Sequence, residues 1–429
     1  MSDHIDEPIS LTRREFLARL GVGAAAILPA DLNGINSKRL KVVIIGAGSA
    51  GLCAAYELEQ RGHTVVLLEA DSAHIGGRVR TARFDGGQYG ELGAMRVPLG
   101  LHRLTSHYIK RFNLPVRAFV QYNPLGYYSV HGERRRTESV AHLDHAYTNG
   151  MDGRSGGVWS QHFSEIVGGM DRLTGAFVQR LQAKPRMGCE VVRIDQDTLT
   201  GKAAVTYVDR NASRSPGAHR REVGDCILCT VPLPVLRKIE VNPALSAAKR
   251  NAILDTPYLS AHKVLAVTRR RFWEMDDAIF GGATYTDLPC GIAYYPSDNA
   301  ASHDLHVSNG PGVLLASYTL GAHAQRYAAY SPGNAAAYAI TALGKVHPQL
   351  RQREMVGKSL SWSWGSLPFA GGGFAAPGKR EELRRHLSAP EGRLFFAGEH
   401  ASQNRSWIQG ALESSLAAVK DMLAVYARR

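Results

Sequence analysis

Glycine, carboxylate and arginine recur along this chain in an order that suits one kind of binding chemistry. Lys41-Val-Val-Ile-Ile45 runs into Gly46-Ala-Gly48-Ser49-Ala50-Gly51, and a second apolar run, His63-Thr-Val-Val-Leu-Leu68, ends in Glu69 and Ala70. Apolar runs that meet closely spaced glycines predict a strand, a tight turn and a helix. Such a turn lets backbone approach a pyrophosphate, and the helix N-terminus offers unpaired N–H groups and a favourable dipole. Glu69, roughly 20 residues on, stands where a carboxylate can take ribose hydroxyls. A glycine turn alone needs no ligand; both strands and the acid together favour dinucleotide binding. Gly76-Gly77-Arg78 follows closely. Two glycines can wrap backbone around a diphosphate and the arginine adds a fixed cation, which selects FAD over NAD. A plain surface turn with a solvated arginine is the weaker reading this close behind the ribose acid.

The far end of the chain carries Arg393-Leu-Phe-Phe-Ala-Gly398-Glu399-His400 and Trp407-Ile408-Gln-Gly-Ala411. Between the two ends lie Gly76-Gly-Arg-Val-Arg-Thr81, Glu91-Leu-Gly93-Ala94-Met95-Arg96-Val-Pro98, Phe163-Ser-Glu-Ile-Val-Gly-Gly-Met-Asp-Arg-Leu173, Phe272-Trp-Glu274, Gly281-Gly-Ala-Thr-Tyr-Thr-Asp-Leu-Pro289 and Tyr294-Tyr-Pro-Ser297. With these motifs in this order the chain resembles the flavin amine oxidase family, and within it the L-amino-acid oxidases, from about residue 40 to its end. The resemblance implies FAD, contacted at Gly93 to Arg96, near Val192 at the adenine, at Gly398 and Glu399 (the latter reaching the ribityl hydroxyls from the start of the last helix), and at Trp407, Ile408 and Ala411.

The resemblance also distributes catalytic roles. Arg96 is the candidate anchor for a substrate carboxylate, since a guanidinium fork matches a carboxylate bidentately; a structural arginine under the flavin is the alternative. Tyr318 can donate its hydroxyl to the same carboxylate, or be a buried sheet tyrosine. Lys263, in Ser260-Ala-His-Lys263-Val-Leu265, matches the lysine that holds a water against flavin N5, and a lysine in an apolar strand is costly without a partner. Trp407 matches the aromatic that walls the substrate amine. Trp362 and Trp364 share strand parity, either as a second wall or as core tryptophans. Two departures stand out. Phe369-Ala-Gly-Gly-Gly-Phe-Ala-Ala376 holds no cysteine, so the FAD is expected to be non-covalent. Ser406 replaces the usual glycine before the tryptophan, putting a side chain where the amine would approach.

These residues need two scaffolds. The expected fold is mixed α/β (α+β): a Rossmann-type FAD-binding domain from residues 41–83, 165–258 and 390–429, interleaved with a mixed-sheet substrate-binding domain from 84–164 and 259–389. A hairpin is expected at Tyr127–Gly132. Only about thirty residues then separate it from the Phe163 motif, so the long helical domain of the L-amino-acid oxidases is expected to be truncated near 137–162, with wider access or a partner subunit there. Residues 1–36 read as an address: Thr12-Arg-Arg-Glu-Phe-Leu17 and the apolar Gly21–Leu28 resemble a twin-arginine export signal, or else an amphipathic N-terminal helix or arm.

Composition agrees with an ordinary enzyme. A chain of 429 residues, 44% hydrophobic and 21% charged, can bury two cores. No apolar run is long enough to span a membrane. The net charge of +13 is spread over short arginine clusters without aromatic interleaving, which suits attraction of anionic small molecules better than nucleic-acid reading. Cys226 and Cys229 resemble a CxxC pair, but residues three apart on a strand point to opposite faces, so no metal is expected there. The expected reaction is FAD-dependent oxidative deamination of an L-amino acid with O2 as acceptor, giving hydrogen peroxide, a 2-oxo acid and ammonia. Two other readings stay open: an amine oxidase or biosynthetic desaturase acting on a bulkier or carboxylate-free amine, and a non-catalytic FAD-binding subunit. A homodimer or partner subunit is compatible with either.

Overall fold

The computed structural model describes residues 28–35, 37–148, 162–197, 200–211, 218–376 and 381–427. The twin-arginine motif lies outside the described residues, as do residues 149–161 of the stretch that bears on access to the site.

Four strands, β1 (Lys41–Ile45), β2 (Thr64–Leu68), β3 (Cys226–Cys229) and β4 (Leu394–Phe396), form a parallel sheet in the order β2-β1-β3-β4. Val42 stands beside both Val65 and Cys226, and Ile227 beside Leu394, so three distant chain segments share one register. The strands are almost wholly apolar because both of their faces are covered. On one face, α1 (Ser49–Glu59) and α2 (Ile408–Val425) pack with helices Arg103–Arg111 and Asp171–Arg180 around Val42, Ile44, Leu52, Tyr108, Phe177 and Leu416. Helix Arg103–Arg111 therefore joins the nucleotide-side core, although sequence reading assigned it to the substrate-binding segments. Its Leu104, Tyr108 and Ile109 are buried on one stripe of the helix, which decides where it packs. On the other face, Val43, Ile45 and Val66 meet a sheet in the order His219–Gly224, Lys202–Asp209, Cys189–Asp197, Glu240–Asn242. Cys226 belongs to the first core and Cys229 to the second, as strand alternation requires, and burial pushes both thiols up to about 12.

The second scaffold is a seven-stranded sheet in the order Val356–Ser363, Ala261–Thr268, Gly312–Leu320, Ile292–Tyr295, Gly282–Thr286, Tyr127–Val130, Glu133–Arg136. It is mixed: Gly282–Thr286 runs parallel to Tyr127–Val130 and the other pairs are antiparallel. The expected hairpin is there. His131 and Gly132 both have positive φ, 55° and 79°, the combination that matches a two-residue turn to strand twist. Register brings Lys263 opposite Tyr318 on one neighbour and opposite Trp362 on the other, so three candidate residues from distant segments form one cross-strand row. Within the shortened helical stretch, a 3-10 turn at Thr137–Ser139 and a helix at His145–Thr148 are described. Among the described residues, no helix is long and apolar enough to cross a membrane.

Gly51 shows how tightly the first turn is built. A Cβ at this position would sit 2.0 Å from the Gly46 carbonyl oxygen. Gly51→Ala is expected to lower unfolding free energy by about 1–3 kcal/mol, the usual cost of overpacking, measured by urea denaturation.

Candidate active site

Residues of both scaffolds wall a single cavity of about 1050 Å³. Every residue selected above as catalytic or cofactor-binding lines it except Gly51. At Gly51 the missing Cβ lets α1 close onto the Gly46 carbonyl.

At the nucleotide end, Gly46 takes φ +97°, while Gly48 has an ordinary φ of −76° and lacks a Cβ for another reason. A Cβ there would meet nothing within 4 Å, so bare backbone faces the open cavity at the N-terminus of α1. The two glycine motifs form one cradle: Gly48 pairs with Gly76 as an isolated bridge, and the Gly76 N–H donates to the Ala47 carbonyl at 3.0 Å. Glu69 accepts from the Ala47 and Asp71 N–H groups at 2.7 and 2.9 Å, and burial raises its pKa. An open cradle, a helix N-terminus and a buried carboxylate fit the diphosphate and ribose of FAD. Val192 lines the same cavity.

Glu399 departs from expectation. It lies in a separate 3-10 turn, Glu399–Ala401, rather than at the start of α2, and both carboxylate oxygens have protein partners. One accepts from Arg78 and from the Ala375 N–H, each at 2.9 Å, and the other from the Ser406 N–H at 2.9 Å. Burial opposes ionisation of Glu399, but Arg78, His400 and the two N–H donors overcome it and hold the carboxyl below its usual range. Ser406 adopts φ +69° and commits its hydroxyl to the Ala375 carbonyl at 3.1 Å, while still lining the cavity.

Toward the large sheet, Lys263 is 3% exposed and donates to the Glu91 and Gly93 carbonyls at 3.1 and 2.7 Å. Its ammonium fixes the segment that ends in Arg96. Burial lowers the pKa of Lys263 and raises that of Glu91, so each is driven toward its neutral form against their mutual attraction. Arg96 is 6% exposed, with its guanidinium 5.0, 5.4 and 5.6 Å from the ring centres of Tyr294, Phe119 and Phe163. Trp407 stacks on Phe163 at 6.1 Å. Trp362 lies on the strand Val356–Ser363, and Trp364 opens the 3-10 turn that follows it. Trp364 is buried and donates to the Leu92 carbonyl at 2.7 Å, Trp362 lies edge-on to it at 5.9 Å, and both line the cavity.

Sequence reasoning missed two lining residues. His102, 3% exposed, meets Trp407 edge-to-face at 4.9 Å. Arg405 is buried two residues before Trp407. Both sit beside recognised motifs, but residue type alone does not separate them from surface histidines and arginines. Phe163 and Tyr294 lay within quoted motifs, but their shared contact with Arg96 arises only from tertiary packing.

Comparison with known proteins agrees with this arrangement. The family model for flavin-containing amine oxidoreductases matches residues 49–151 and 126–423. An L-amino-acid oxidase of Bothrops pauloensis is 29% identical over 475 residues, covering 91% of each chain. Cyclohexylamine oxidase from Brevibacterium oxydans IH-35A has a similar fold, with a TM-score of 0.71 at 17% identity over 91% of this chain and 100% of that one. Putrescine oxidase superposes with a TM-score of 0.69, also at 17% identity, over 90% and 99%.

Buried imidazoles make the assembly acid-sensitive. Burial pulls His102 down to about 3 and His262 and His400 down to about 4. An unfolded chain takes up these protons from about pH 6.5 downward, whereas the folded chain does so only near pH 4. Stability is therefore lost as pH falls across that window, by up to roughly 1.4 kcal/mol per pH unit for each imidazole. Urea midpoints measured from pH 7 to pH 4.5 should fall steadily, and His262→Phe should flatten the slope.

Proposed function

The chain belongs to the flavin-containing amine oxidoreductases, and from that premise we propose that it oxidises the α-amine of an L-amino acid with non-covalently held FAD. The observation that carries this reading is Arg96, a buried cation in the cavity wall between the lysine row and Trp407. Its fork suits an α-carboxylate, and water-poor aromatic surroundings strengthen such a contact. Tyr318 lines the same cavity and can add a hydroxyl donor. Trp407 supplies a flat wall for the amine end. Lys263 keeps the Glu91–Gly93 backbone in place, so the anchor stays at a fixed height. FAD, when bound, would supply the two-electron acceptor chemistry that couples amine oxidation to O2. Overall, amino acid, O2 and water become 2-oxo acid, ammonia and hydrogen peroxide. The motif at Arg13-Arg14 supports export of the protein already folded around its cofactor.

A second reading, oxidation of an amine without a carboxylate, is favoured by the ring cage itself. Three aromatic faces stabilise a guanidinium by cation–π attraction, with no need of a substrate anion.

Anaerobic flavin bleaching separates the two. Particular L-amino acids should bleach the yellow protein, and Arg96→Leu should cut kcat/KM for them roughly 100-fold, as expected for a lost buried charge contact. Decarboxylated amines should be affected less than threefold. Bleaching of the wild type by simple amines alone would sink the carboxylate anchor.

A further inference from the structure

Arg405 is 8% exposed, lines the cavity, and makes no hydrogen bond, ion pair or ring contact among the described residues. A buried cation without a partner is expensive, so a site that keeps one expects an anion. The nearby carboxylates are already committed. Glu399 holds Arg78 and the Ala375 and Ser406 N–H groups, and Glu381 pairs with Arg384. Lys238 stands at an exposed position of the cavity wall, and the other buried or half-buried cations there are engaged. Arg78 is neutralised by Glu399, Arg80 reaches Asp71 at 3.4 Å, Lys263 is held by two carbonyls, and Arg96 sits among three rings.

Arg405 precedes Ser406, whose N–H binds Glu399, so it enters the cavity beside the Arg78–Glu399 pair. The diphosphate of FAD brings two negative charges to the cradle, while the arginine of the Gly-Gly-Arg motif has its charge cancelled within the protein. We propose that Arg405 contacts the FAD diphosphate, while Arg78 also organises Glu399 and the loop at Gly373 through its Nη1. The planar fork of Arg405 suits phosphate oxygens bidentately. Burial pulls its pKa down, and the attraction of Glu399 and Glu381, each already paired with another arginine, does not restore it.

The test uses the holoenzyme. FAD release is followed by the rise of free-flavin fluorescence, and the two diphosphate resonances of bound FAD by 31P NMR. Arg405→Gln should release FAD roughly 10- to 100-fold faster, as for a lost charged hydrogen bond. Arg405→Lys should recover most of the hold while shifting at least one 31P resonance. Unchanged release from Arg405→Gln would overturn the proposal. So would faster release with unmoved 31P resonances, which would assign Arg405 to another part of the cofactor. If the glutamine variant does not fold, the 31P spectrum of Arg405→Lys decides alone: a shifted resonance supports the contact, and an unchanged spectrum refutes it.

Discussion

One buried carboxylate ties the site together. Through its two oxygens Glu399 joins Arg78 from the second glycine motif, the backbone at Ala375, and the turn at Ser406 that leads into α2. Those groups are far apart in sequence and converge only here. Removing the carboxylate would leave two backbone donors unsatisfied and the half-buried Arg78 guanidinium with only the Gly373 carbonyl at 3.2 Å. The positive φ of Ser406 belongs to the same arrangement. A non-glycine residue is held in a sparsely populated conformation because its N–H and its hydroxyl are both anchored.

The opposite wall rests on cations placed among neutral groups. Lys263 has carbonyls rather than a carboxylate as its direct partners, and Arg96 has aromatic faces. The guanidinium of Arg96 keeps positive potential in a poorly hydrated space, which attracts anionic substrate groups and disfavours a protonated amine, while burial draws Lys263 toward its neutral form. That combination suits chemistry in which the reacting amine must be neutral. His102 adds an imidazole that burial keeps uncharged beside Trp407.

Much of the nucleotide end was legible because its physics is local. Strand, glycine turn, helix and terminal acid lie within thirty residues, and each residue's role follows from its neighbours. The opposite faces of Cys226 and Cys229 were likewise readable from strand parity. The row of Lys263, Tyr318 and Trp362 could be named residue by residue, but not as a row, since register between distant strands is set by packing. The packing role of Gly51 was not legible because a glycine that permits close packing looks the same as one that admits a ligand. Glu399 was placed on the wrong element because a short turn intervenes before α2, and Arg405 went unnoticed because its lack of a counter-charge is a property of the folded chain.

The order of strands in the parallel sheet has a consequence for biosynthesis. β4 is the edge strand beside β3, and α2 covers the apolar face above β1, yet both are made after the whole of the second scaffold. While the ribosome is still translating the large sheet, β3 presents a bare edge and Ile44, Leu52 and Leu58 lack their lid. The cradle for the cofactor can therefore close only late in synthesis, once the C-terminal segment has left the tunnel. Until then the nascent chain displays an unpaired strand and an open core, the features that recruit chaperones and invite aggregation.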